Sequence, residues 1–257
     1  MSASEFKYET DGAYHWSATY NPRLRRFDPR ADACYEVPLA LLRRAGGLAK
    51  GRRGVDVGCG DGVMMYKVLR AGGNIAGVDL SGAGLRLARR EVTARMGTPP
   101  NVMRASATAL PLASASVDYV LSIEVIEHVP DVGAYLAEIG RILKPGGLFL
   151  LTTPHRLESG ELQDPYHVVE YDAAGLAELL GRGFHEVRVW GMYPSALDRL
   201  YRGATRVPSV DKVVRGGFKV LARYVANPYV HALREAPPTR GWHKLAAICR
   251  RPATSAP

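Results

Sequence analysis

Cysteine is scarce. The 257 residues hold three, Cys34, Cys59 and Cys249, and their spacing fits neither a metal ligand set nor a disulfide framework. A cross-linked secreted scaffold is thereby excluded, and a reducing cytoplasm is the expected compartment. Long apolar runs are missing as well. No stretch approaches the ~18 residues of a membrane-spanning helix. The opening MSASEFKYETDG has no apolar segment of the leader type. No internal repeat is present, and the only biased segment is the tail PATSAP. Acidic residues are lacking in one place: residues 195–257 carry 12 Lys+Arg against 3 Asp+Glu, while residues 1–194 carry 22 of each. The whole net charge of +9 therefore sits in the last quarter of the chain. Such a segment is either a solvated basic surface or a face for an anionic partner: a phosphorylated substrate, a membrane surface or nucleic acid.

Apolar patterning divides the chain. Residues 1–50 read as a helical preamble, in which ACYEVPLALLRRAGG has helical spacing and stops at Gly46-Gly47. From residue 54 short apolar strands alternate with helices: RGVDVG, a helix over 61–71, NIAGVDL, a helix over 82–96, NVMRAS and SVDYVLSI. A helix over 132–143 follows, stopped by KPGG, then GLFLLTTP, a helix over 172–182 and HEVRVWG. This alternation predicts an α/β fold with a parallel sheet covered on both faces. Residues 51–194 form the core, 195–241 a basic helical cap, and 242–257 a last edge strand and tail. Within the cap, Val210, Val213, Val214, Leu221 and Val225 are expected on one helical face and Lys212, Arg215, Lys219 and Arg223 on another. A helix so built packs over a site or lies on a membrane. Gly216-Gly217 weaken it by about 1 kcal/mol each.

VDVGCGDG, residues 55–62, follows a strand and opens a helix. Gly58, Gly60 and Gly62 permit close approach to the backbone. The spacing G-x-G-x-G differs from the dinucleotide G-x-G-x-x-G. Asp56 and Asp61 would oppose a pyrophosphate and suit a cationic ligand. Asp79, ending the next strand 17 residues after Gly62, is placed to accept both hydroxyls of a ribose.

SIEVIEHVPD, residues 122–131, brings Glu124, Glu127 and His128 to the end of another strand. If the chain turns helically there, the two glutamates share a face with His128 beside them. Two carboxylates and an imidazole suit Mg²⁺ or Mn²⁺. His167 in DPYHVVEY, or alternatively His155 in TTPHR, would complete the set. Without a cation, His128 serves as a base or positioning residue, or packs structurally. Tyr14, His15, Trp16 and Tyr20 either fold over the ligand or anchor the core. Met64-Met65 read as core.

These motifs, with ALPLASASVDYVLS, EVIEHV and RILKPGGLFLLTTP, resemble the class I S-adenosylmethionine-dependent methyltransferases closely over residues 54–154 and loosely to about 190. The resemblance implies a Rossmann-like seven-stranded sheet whose last strand is antiparallel. The implied cofactor contacts are Asp56, Gly58, Gly60, Gly62, Asp79, Leu80, Ser106, Ala107 and Glu124. Ser106 stands where the family usually has Asp, so the adenine contact is expected from Ala107's backbone instead. E-x-x-E-H is similar to the pattern of ubiquinone-biosynthesis O-methyltransferases and small-RNA 2′-O-methyltransferases. That implies Glu124, Glu127, His128 and His167 as cation ligands, with His128, His167 and Glu127 catalytic. The expected activity is methyl transfer to a hydroxyl of a small or lipid-like, anionic acceptor. Carbon or nitrogen acceptors, RNA, and a non-catalytic binder are the alternatives. No RNA-binding module or base-stacking spacing is visible.

Overall fold

The computed structural model describes residues 8–20, 26–156, 159–193, 195–203, 208–235 and 242–253. The start of the acidic N-terminal stretch and the end of the PATSAP tail lie outside them. Two helices lead: α1 (Tyr14–Thr19) and α2 (Pro29–Arg44). Then β1 (Arg53–Val57), α3 (Val63–Arg70), β2 (Asn74–Asp79), α4 (Gly82–Met96), β3 (Val102–Arg104) and β4 (Val117–Ile123) alternate. A single 3₁₀ turn, Ile126–His128, precedes α5 (Val132–Ile142), β5 (Leu143–Pro154), α6 (Ala173–Gly181) and β6 (His185–Met192). The cap region holds α7 (Ser195–Gly203), α8 (Pro208–Tyr224), α9 (Pro228–His231) and the two-residue β7 (Arg234–Glu235), before β8 (Lys244–Arg250). Alpha-helix α8 continues through Gly216-Gly217 despite their low propensity.

The helix starts obey side-chain capping. Ser81, Asp131 and Asp172 accept from the backbone N–H groups of Gly84, Ala134 and Gly175. Gly97, at φ 76°, closes α4 in the left-handed conformation that glycine adopts without a Cβ clash.

The sheet order is β3-β2-β1-β4-β5-β8-β6-β7. The seven expected strands are present, and β7 adds a short eighth at one edge. Strands β1 to β5 pair in parallel, while β8 runs antiparallel between β5 and β6. The expectation that residues 242–257 supply an edge strand is therefore corrected. Leu245, Ala246 and Ala247 are buried on both sides of the sheet, which an exposed edge would not allow. Strand alternation sorts the two cores. On β5, Leu148 and Leu150 face α2, α3 and α4, while Phe149 and Leu151 face α5 and α6. Met64 and Met65 are core, as the sequence indicates.

Lys67 on α3 is buried, with its ammonium 2.8 Å from Asp32 and also paired to Glu36, both on α2. Asp32 in turn accepts from Asn227, the N-cap of α9. Burial alone would lower the Lys67 pKa, but Asp32, Tyr20 and Glu36 more than offset it and hold the pKa above its ordinary value. This network ties the N-terminal helices to the cap. Removing one partner of a buried pair strands the other charge, so Lys67→Ala should destabilise the fold by about 3 kcal/mol, read as a lower urea midpoint; a midpoint within error of the parent would refute this role.

Candidate functional site

The carboxyl ends of β1, β2 and β4 open into one cavity of about 1080 Å³. Its base is the glycine turn. Gly58, Gly60 and Gly62 have φ of 76°, 51° and 85°, conformations costly for any residue with a side chain. A Cβ on Gly60 would lie 2.0 Å from the Tyr8 hydroxyl. A Cβ on Gly62 would lie 2.9 Å from that of Ala88 on α4. Gly58 and Gly60 line the cavity. Gly62 instead lets α3 pack against α4, a structural role in place of the ligand contact expected from sequence.

Asp79 joins this turn to the next strand. Its Oδ2 accepts from Gly60 N–H at 2.8 Å and its Oδ1 from Ser81 N–H at 2.7 Å. These two bonds fix the orientation of the carboxylate at the cavity wall. Leu80, Ser106 and Ala107 line the same wall, and the Ser106 hydroxyl pairs with Thr108. Asp56 also lines the cavity, with both carboxyl oxygens buried and without a hydrogen-bond partner. Burial, then the neighbouring Asp79 charge, pushes its pKa up to about 8. One oxygen of Asp61 is likewise unpartnered, and the other meets His15 Nδ1 at 3.1 Å. Trp16 donates to the Asp61 carbonyl at 2.7 Å. The N-terminal aromatic segment thus divides: Tyr14 and His15 border the cavity, while Trp16 and Tyr20 pack on Tyr66.

The E-x-x-E-H stretch does not turn as one helix. Glu124 sits at φ 58°, and only Ile126–His128 form a turn. That left-handed step separates the two glutamates. Glu124 points to Lys244 at the start of β8 and forms an ion pair with it. Glu127 is instead brought together with His128 and His167, their donor atoms all within 4.8 Å of one another. Among the described residues this cluster includes neither Glu124 nor His155, so the four-ligand expectation is corrected to three. His155 is held in place by the Trp242 carbonyl at 3.2 Å.

Glu127 has one oxygen accepting from the Thr153 hydroxyl at 3.0 Å and one buried without a partner. Burial is the main cause that pushes its pKa up to about 8, with Glu170 adding to it. Glu170 is buried and accepts from His167 Nδ1 at 2.5 Å, which directs the other ring nitrogen toward the cluster. The 163–170 segment is seated here because Val168 N–H donates to the Glu127 carbonyl at 2.7 Å. The His128 and His167 rings meet edge to face, 4.9 Å between centroids.

Sequence reasoning missed Arg30, Tyr193 and Lys244, which line the far side of the cavity. Arg30 lies 3.0 Å from buried Asp198 and 5.7 Å from the Tyr193 ring centre. No motif marks them. Lys244 is found only through the antiparallel register that pairs it with Pro154.

A pH effect follows from Glu127. Between about pH 4.5 and 8 the folded chain keeps a proton on this carboxyl that the unfolded chain has lost. The group therefore lowers stability as pH rises through that window. Glu127→Gln should unfold at higher urea than the parent at pH 8.5, with the gap closing near pH 4. A constant gap across that range would rule the effect out.

Residues 55–151 match the family described as "Methyltransferase domain". The chain is 31% identical over 194 residues to the ubiquinone biosynthesis O-methyltransferase of Cupriavidus pinatubonensis, covering 75% of this chain and 72% of that one. It is 32% identical to the enzyme of the same name from Ralstonia nicotianae, covering 62% of this chain and 64% of that one. It spans slightly less than two thirds of most of the curated relatives it matches, 62–65% for several. Among solved structures, phosphoethanolamine N-methyltransferase 2 of Haemonchus contortus, bound to S-adenosyl-L-methionine, superposes with a TM-score of 0.65 at 20% identity. That match covers 98% of this chain and 60% of the other, and shows a shared fold. With the glycine turn, Asp79 and the sheet order already in place, these likenesses establish that the chain belongs to the class I S-adenosylmethionine-dependent methyltransferases.

Proposed function

We propose that the protein transfers the methyl group of S-adenosylmethionine to a hydroxyl oxygen of a small, lipid-like acceptor. The observation that carries this is the convergence of Glu127, His128 and His167 in the same cavity as Asp79 and the glycine turn. The relatives named as O-methyltransferases support the choice of oxygen.

The cavity suits a sulfonium donor. Asp56 and Asp61 present buried carboxyl oxygens with no partner, which a cationic ligand would satisfy. Asp79, clamped by Gly60 and Ser81, would hold the ribose diol. Ser106 and Ala107 would lie beside the adenine. Tyr166, half exposed beside His167, lines the cavity and offers a ring for a lipid-like acceptor. Holding both reactants in line is itself worth several kcal/mol of barrier.

The Glu127, His128 and His167 donors also fit a divalent cation. One buried Glu127 oxygen lacks a partner, and Glu170 orients His167 as a carboxylate orients a ligand imidazole. Mg²⁺ or Mn²⁺ held there would lower the pKa of the acceptor hydroxyl. Glu127 would give up its proton on binding it. His128 is the residue that receives the acceptor proton where no cation is present.

Methyl transfer to a panel of hydroxylated lipid-like compounds should fall at least tenfold with chelator and recover with Mg²⁺ or Mn²⁺. Chelator-insensitive turnover would remove the cation and leave His128 as base. Asp79→Ala should weaken S-adenosylmethionine binding by about 1–3 kcal/mol in calorimetry, through lost bonds to a charged group. Unchanged affinity would contradict the placement of the ribose.

A further inference from the structure

We propose that the outer side of α8 is a docking face for an anionic lipid bilayer. This goes beyond the methyl-transfer reading and does not depend on it. The helix has three sides. Phe218 turns inward, against Tyr201 at 5.8 Å between ring centres. A second side is apolar and faces out: Val213 is 74% exposed, Tyr224 69% and the following Val225 78%, with Val210, Val220 and Leu221 also exposed. Val210, Val213, Val220 and Tyr224 recur at helical spacing on either side of Gly217. On the third side Lys212 and Arg215 are exposed. Of the apolar face expected from sequence, Val210, Val213, Leu221 and Val225 are exposed and Val214 is half-buried.

An exposed apolar stripe several residues long marks an interaction site. Its charge setting selects the partner. Lys212 and Arg215 are exposed along this helix, within the basic last quarter of the chain, where residues 195–257 hold 12 Lys+Arg and 3 Asp+Glu. An amphipathic helix with aliphatic residues between cations suits the headgroup boundary of an anionic leaflet. Nucleic acid would use the cations but leave the valines in water, since bases stack on aromatic rings and not on aliphatic chains. The helix packs on α7 and on α2, and Arg30, Ala31, Cys34 and Tyr35 of α2 line the cavity, so docking would bring the cavity near the bilayer.

The test is flotation of the full chain with vesicles of equal parts phosphatidylglycerol and phosphatidylcholine, against pure phosphatidylcholine. The chain should float with the anionic vesicles only, and less as salt is raised. Val213→Asp with Val225→Asp should cut binding at least tenfold, while S-adenosylmethionine affinity and urea midpoint stay at parental values. Lys212→Glu with Arg215→Glu should cut it by about fivefold per residue, the weight of one basic side chain near such a surface. Failure of the parent chain to float at low salt would overturn the proposal. So would a dimer in solution that Val213→Asp dissociates, since the stripe would then belong to a second copy. Equal salt-sensitive retention of RNA by the parent and the valine variant, with no flotation, would assign the charge to nucleic acid instead.

Discussion

The two bonds from Gly60 and Ser81 to Asp79 are the constraint on which the site depends. The glycine turn after β1 and the loop after β2 are separate pieces of chain, and Gly58 and Cys59 already donate to the Val78 carbonyl at the end of β2. One carboxylate receives an N–H from each. It sets the distance between the two loops, and thereby the width of the cavity between them. The glycines allow this conformation, and Asp79 selects it. The helices α3 and α4 then start from fixed points, with Gly62 permitting their close contact.

Around that clamp the chain gathers negative charge where burial opposes it. Asp56, Asp61, Asp79, Glu124 and Glu127 all line the cavity. The protein answers the cost in two ways. Asp56 and Glu127 retain protons toward pH 8. Asp61 is met by His15, and Glu124 by Lys244. What remains is a set of carboxyl oxygens without partners, which is the complement of a ligand carrying an ammonium and a sulfonium. The same electrostatic frame gives Glu127 its double character, neutral when alone and anionic beside a cation.

Most of the core was legible because it is written in local pattern. The helix expected over 82–96 is α4, Gly82–Met96, since both its Ser81 cap and its Gly97 stop lie in the sequence. The glycine turn and Asp79 were legible because spacing along adjacent elements fixes their meeting. Three things were not. Glu124 was grouped with Glu127 by assuming helical geometry, and the left-handed step at Glu124 breaks that assumption. Lys244 is 120 positions from its partner, and only strand register reveals the pair. The place of β8 within the sheet is likewise invisible to patterning, because a short apolar strand reads the same at an edge as inside.

The position of β8 bears on how the molecule comes into being. Strands β5 and β6 are successive parallel strands in the chain, yet they touch only through β8, which is made after both. On the ribosome, β6 and α6 must wait without a sheet neighbour while the cap is synthesised. Half of the sheet can zip early, and the remainder closes in one late step that also delivers Lys244 to Glu124. Closure of the second half of the sheet and delivery of Lys244 to the cavity are thus a single event, so a nascent chain halted before that strand has neither.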